Sequence, residues 1–351
     1  GLKIPTAHNV AARLPKAPSM ERARASSTRS GRFIRLLQLA LLACVGLLAG
    51  CNPHYTPPLM VGTNTWIGYE PLYLARSLGY HDGLPLRLVE LGSTTQAMDA
   101  LRVGKLDLAG VTLDEALTLV QEGLPLRIIW VMNISAGADA IIARPGIRRL
   151  ADLRGQRIGV EQTAVGAYML QAALEQAGMQ ASDVSVVPLP LDEHLSAWHG
   201  RRVDAVVTFD PVRQTLLNEG GVTVFDSRAL PGEIVDVLVA RDEALQCCAR
   251  RIAQLLDSQR RALAYLAEHR DDALARMAQR PGVASADMAA ALNGMVLPDA
   301  TGNRALLDGA SPGLVRTAQQ LAQTMHQHGL LARIPDTTGL VDARFVREMQ
   351  P

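Results

Sequence analysis

The chain has 351 residues, of which 35 are basic and 34 acidic, and aromatics make up only 4% of it. With no basic stripe in a near-neutral chain, a nucleic-acid face is excluded. So few aromatics also exclude an extended stacking platform for polysaccharide or single strands.

The first fifty residues read as a processing segment. Arg22, Arg24, Arg29, Arg32 and Arg35 form a basic stretch, and an apolar run from Leu36 to Gly50 follows, broken only by Gln38. A basic region, a short apolar core and small residues before a boundary describe a secretory signal. The run is shorter than the roughly 20 residues that span a bilayer as a helix. Leu48-Ala49-Gly50-Cys51 resembles the bacterial lipobox, which implies acylation of Cys51 and anchoring to a membrane. Met20 is the expected true start, so residues 1–19 read as an overlong beginning. Residues 51–351 carry 27 basic and 33 acidic residues, a net charge of −6. That length suffices for a large core.

Residues 51–58 hold Pro53, Pro57 and Pro58 and read as a stiff tether. From Leu59 onward, short apolar strands alternate with helices. Strands are expected at 59–66, 86–91, 106–112, 126–132 and 138–143, with helices at 71–78, 95–103 and 114–122 between them. The series restarts after Arg144-Pro145: strands at 157–161, 184–189, 204–209, 222–225 and 234–240, with helices between the first three and another from Pro211. From Asp242 the chain reads as helical, with a loop at 298–313 and a last long helix to His328. This alternation predicts α/β lobes built on mainly parallel sheets flanked by helices. Val111-Thr112-Leu113-Asp114 and Val207-Thr208-Phe209-Asp210 echo each other, one in each series, and support two similar lobes. Cys247 and Cys248 lie side by side on an expected helix, where neighbouring side chains diverge, so no bridge is expected.

Five blocks in order resemble the nitrate/sulfonate/taurine-type solute-binding proteins, a superfamily that also holds binders of thiamine pyrimidine precursors. They are Trp66-Ile67-Gly68-Tyr69-Glu70-Pro71 with Leu78-Gly79-Tyr80, Ala100 to Asp107, Leu150 to Val160, Gly200 to Pro211, and Ile334 to Val346. The resemblance implies a two-lobed type II periplasmic-binding-protein fold with two hinge crossings. The crossings are placed near Ala143–Arg144 and 231–234. Lobe one is then 59–143 plus 234–351, and lobe two 144–233. It implies a monomeric solute receptor at the periplasmic face of a bacterial membrane, handing a small molecule to an ABC permease. A sensing module for a membrane signalling partner, or an enzyme of the same fold, are the alternatives.

In open α/β sheets ligands sit beyond the carboxyl ends of the strands. Trp66 and Tyr69 follow the first strand and can wall a pocket, each offering one donor. Ser93, Thr94 and Thr95 open a helix, and Gln162 and Thr163, with Gly166, hold the matching place in the second series. Facing helix N-termini make an anion clamp, although capping equally accounts for any one of these residues. Asp114 and Asp210 follow strands and serve either a ligand amine or a cap. Glu70 is open to the same two roles. Asp139 lies between two apolar strands with no helix to cap and is the preferred charged contact. Phe209 completes the list. Facing N-termini and aspartates together point to an amine-bearing or zwitterionic, taurine-like solute. Neither metal-binding helix, nucleophile elbow nor phosphate loop is present, so no catalytic residue, metal or cofactor is expected. The histidines read as solvated surface groups.

Overall fold

The structure, a computed structural model, describes residues 35, 37–39 and 56–349. The expected signal segment, apart from four helical residues at 35 and 37–39, and Cys51, the expected acylation site, lie outside the described residues. No described helix is long and apolar enough to cross a membrane. The chain divides into a unit of residues 1–56 and a body of residues 57–351.

Within the body, apolar strands of about five residues alternate with helices as the sequence pattern requires. The first series is β1 (Leu59–Thr63), α1 (Glu70–Ser77), β2 (Leu86–Glu90), α2 (Thr94–Arg102), β3 (Leu108–Thr112), α3 (Leu113–Gln121) and β4 (Leu126–Ser135). Then come β5 (Asp139–Ala143), β6 (Arg157–Val160), α4 (Val165–Gln176), β7 (Ser185–Pro188), α5 (His194–His199), β8 (Ala205–Phe209), α6 (Val212–Asn218) and β9 (Val222–Asp226). β10 (Val235–Arg241) returns, and α7 (Asp242–Cys247), α8 (Ala249–Glu268), α9 (Arg270–Gln279), α10 (Ser285–Asn293), β11 (Met295–Val296), α11 (Ala300–Leu307), α12 (Gly313–Gln327) and α13 (Arg344–Glu348) finish the chain.

Two sheets result. One runs β11-β4-β10-β3-β1-β2, the other β7-β6-β8-β5-β9. Read from the crossing strand outward, β10-β3-β1-β2 and β5-β8-β6-β7 have the same order, which is the two-lobed arrangement that the echoed motifs foreshadow. β1 pairs in parallel with β2 and β3, and β6 with β7 and β8. β10 and β5 run antiparallel to both of their neighbours. Each of these two enters from the other sheet, so it begins where its neighbours end.

Three expectations need correction. β5 pairs with β8 and β9, so the chain changes sheets at 136–138, ahead of the crossing expected near Ala143–Arg144. Gly137 makes that step with φ +115°, a conformation open to glycine. The return passes through 227–234, and Ser227 ties the two passages together: its hydroxyl meets Ser135 Oγ at 2.7 Å and accepts from Gly137 N–H at 2.7 Å. The stretch expected to be a loop at 298–313 contains α11, which Asp299 caps by accepting from Gly302 N–H at 2.8 Å. Cys247 and Cys248 are disulfide-bonded, because the helix breaks between α7 and α8 instead of carrying both on one rod.

Candidate functional site

The strand ends meet around two small adjoining cavities, each with only about 10 Å3 of free volume, that share Asp139, Val165 and Phe209. Asn64, Trp66, Tyr69, Thr94, Thr112, Glu115 and Asp236 line the first. Glu161, Gly166, His194 and Thr208 help line the second. The register explains the convergence. Asp139, the first residue of β5, lies opposite Phe209, the last of β8, and Asp236 near the start of β10 lies opposite Thr112, the last of β3. Trp66 from the first sheet and Phe209 from the second meet edge to face, their ring centroids 5.3 Å apart.

The aromatic donors expected to reach a ligand are already engaged. Tyr69 is fully buried and its hydroxyl donates to Asp236 Oδ1 at 2.6 Å. A Cβ on Gly110 would stand 2.7 Å from that ring, so glycine there gives the phenol its seat. With the Asn133 amide turned to satisfy both neighbours, its nitrogen donates to Asp236 Oδ2 at 2.8 Å and its oxygen accepts from Trp66 Nε1 at 3.2 Å. Asp236 thus has both oxygens hydrogen-bonded, yet burial, with Asp139 next to it, holds its carboxyl well above the usual range.

Asp139 is in a different state. It is buried, and Ser135 is its nearest polar support. Burial pushes its pKa up to about 7; Asp210 and Asp114 add to the rise, while Ser135 and the more distant Arg213 oppose it. Arg213 itself is held by Asp210, at 3.1 Å. Burial likewise raises Asp114 to about 6, and burial with Asp114 beside it raises Glu115 well above its ordinary value. Neither cavity is lined by a lysine or arginine among the described residues.

The two helix N-termini expected to clamp an anion do face each other, but the protein's own carboxylates occupy them. Glu161, just beyond β6, accepts from Thr95 N–H at 2.9 Å and from its hydroxyl at 2.5 Å. Glu115, on α3, accepts from Val165 N–H at 2.9 Å with one oxygen and from Thr112 N–H at 2.7 Å with the other. Ser93 caps α2 by accepting from Gln96 N–H, and the Thr94 hydroxyl accepts from Asn64. Thr95 and Thr163 hydroxyls touch across the gap at 2.6 Å. The exposed Gln162 lies instead on a separate groove with Thr163, Asp114 and Tyr168. Asp210 also stands apart: besides Arg213 it accepts from Gln214 N–H at 3.2 Å in the first turn of α6. Glu70 is ion-paired with Arg280, which also stacks over Tyr73.

Asn64, Thr112, Glu115, Glu161, His194 and Asp236 also line the cavities, without being among the residues expected there from the sequence. The apolar flanks that single out Asp139 also surround Asp236, in Ile234-Val235-Asp236-Val237. Thr112-x-x-Glu115 has the form of a capping box, which hides the second use of Glu115. His194 is buried rather than solvated. Its Nε2 donates to the Leu189 carbonyl at 3.2 Å, which leaves Nδ1 to accept from Thr208 at 3.1 Å. Burial lowers its pKa to about 4, so the ring brings no positive charge.

Comparison with known proteins is consistent with this architecture. The model of the NMT1-like family matches residues 53–281. A Brucella abortus protein named as a binding protein is 33% identical over 88 residues, 25% of this chain and 28% of that one. The Escherichia coli protein named as binding aliphatic sulfonates is 28% identical over 138 residues, 39% of this chain and 43% of its own length. These matches span less than half of either relative. The alkanesulfonate-binding protein of Xanthomonas axonopodis pv. citri, solved with MOPS, superposes with a TM-score of 0.70 over 82% of this chain and 99% of its own, at 19% identity. That likeness establishes the fold.

Proposed function

The chain belongs to the NMT1-like family, and from that premise we propose that it is the extracytoplasmic receptor of an ABC importer for a small amine-bearing solute. The observation that carries the ligand class is the charge of the site. Asp139, Asp236, Glu115 and Glu161 line two buried cavities that no lysine or arginine enters among the described residues. Burying unpaired carboxylates is costly, and each is relieved by a proton or by a cation. An ammonium group beside Asp139 supplies that cation, and Trp66 and Phe209 provide an apolar wall for the rest of a compact molecule. Tyr69, Asn133 and Asp236 hold the wall and floor in place. A zwitterion of the taurine type has to lodge its acidic end elsewhere or displace a glutamate. A plain sulfonate, as the name of the Escherichia coli relative states for that protein, fits this charge pattern less well.

In this reading Cys51 carries the lipid, residues 52–58 form the tether, and the monomeric body opens and closes about 136–138 and 227–234. A permease accepts the closed form. His194 lines the second cavity with both ring nitrogens engaged, which favours a receptor over a catalyst. A thermal-shift screen of the purified protein at pH 8 tests the ligand class, since binding raises the midpoint by mass action. Small primary amines and amidines raise it and ethanesulfonate, nitrate and phosphate do not; the reverse pattern removes the amine assignment.

A further inference from the structure

We infer that Glu115 and Glu161 are specificity-determining residues that keep oxyanions out of the cleft by occupying the two places an oxyanion would take. This rests on the cleft being the ligand site, though not on the charge of the ligand. The first-turn N–H groups of a helix lack intrahelical partners and carry the positive end of its dipole, so they attract anions. α2 and α4 both begin at the cleft, and both are long enough for the effect. In each case the occupant comes from the opposite half. Glu161, from the sheet containing β5, sits on α2 through Thr95, and Glu115, beside the sheet containing β10, sits on α4 through Val165.

Capping alone does not account for this. Glu115 satisfies its own helix with the oxygen that meets Thr112 N–H; its other oxygen is spent across the cleft. A second observation marks the same place. Thr112 is only 6% exposed and lines the cavity beside Glu115, and its hydroxyl, near Asp114 and the Glu115 N–H, makes no well-formed hydrogen bond among the described residues. Buried hydroxyls are normally paired, so this one is free to turn toward an incoming acceptor. An incoming sulfonate finds both helix ends taken, and it meets Asp139 and Asp236 behind them. Shortening either glutamate frees N–H groups that a sulfonate oxygen can bond, with Thr112 Oγ1 at hand in the first cavity.

Titration of ethanesulfonate into the purified protein and into four variants tests this: Glu115→Ala, Glu161→Ala, Glu115→Gln and Glu161→Gln. The parent protein and the glutamine variants, whose amide oxygen still fills the seat, take up little. Each alanine variant binds about 30-fold more tightly than the parent, the scale of a helix-terminus interaction in a partly buried site. Parent protein that binds ethanesulfonate as tightly as the alanine variants overturns the inference, and so do folded alanine variants as indifferent as the parent. Glu161, nearer the rim, carries the test should Glu115→Ala fail to melt cooperatively. An amine titrated into the same samples separates the two readings. Gained sulfonate binding without any amine binding upholds the role of the glutamates and removes the amine ligand, whereas amine binding without the gain does the opposite.

Discussion

Asp139 and Asp236 stand at or next to the start of the two strands on which the chain changes sheets, and both are buried against the same cavity. Their surroundings differ. Asp236 accepts from Tyr69 and, through the oriented amide, from Asn133, so it braces the aromatic wall. Asp139 has Ser135 for support and faces both cavities. Equivalent positions in two similar halves thus differ in their support, one braced by hydrogen bonds and one, in the function proposed above, left for the solute. Burial alone therefore does not single out a candidate ligand contact; a buried carboxylate short of partners is the stronger candidate.

The largest effect that sharpens this contrast is on pH dependence. Asp139 binds its proton far more tightly in the folded protein, near pH 7, than at its ordinary value of 3.8. The folded state therefore holds more protons than the unfolded one across that interval, and the ligand-free protein loses stability as pH rises through it, by up to ~4 kcal/mol from this group. Asp114, raised to about 6, adds in the same direction. Denaturant titrations at pH 5 and pH 8 check the sign, and Asp139→Asn flattens the profile while raising stability at pH 8. Equal stability of the parent protein at both values breaks the contrast.

Next in size, Asp139→Asn weakens amine binding by about 100-fold, the cost of removing one partner from a buried charged pair. The direct effect of Asp236→Asn falls instead on folding, because its hydrogen bonds brace the wall. Isothermal titration and thermal melts of the two variants separate these outcomes, and interchangeable behaviour denies the division of labour. Smaller again, Tyr69→Phe removes the donor to Asp236 and costs ~1–3 kcal/mol of stability by leaving a buried oxygen short of a partner. Chemical denaturation measures it. A neutral result means that the hydroxyl does not brace Asp236.

Much of the architecture was legible in the sequence because strand and helix periods alternate cleanly and the Val-Thr-apolar-Asp echo repeats. The first crossing was not. Residues 126–143 read as two neighbouring strands of one sheet, and only pairing with β8 and β9 reveals that β5 belongs to the other half. Asp139 was legible through its apolar flanks. Glu115 was hidden because a capping box accounts for it locally, and its bond to Val165 spans fifty residues. The facing helix ends were also foreseeable, since Ser93–Thr95 and Gln162–Thr163 follow strands. Their occupants were not, because an acid from the far lobe leaves no local pattern. Trp66 and Tyr69 were foreseen as walls, yet their polar atoms were assigned outward, and the partners Asn133 and Asp236 lie on strands far along the chain.

The proposal that Asp139 receives a cation is tested most directly by calorimetric titration of the strongest-binding amine at pH 6 and pH 8, into the protein and into Asp139→Asn. Tighter binding is expected at pH 8, where Asp139 is ionised, with weak, pH-independent binding by the variant. Equal affinity of the protein and the variant at both pH values would contradict it.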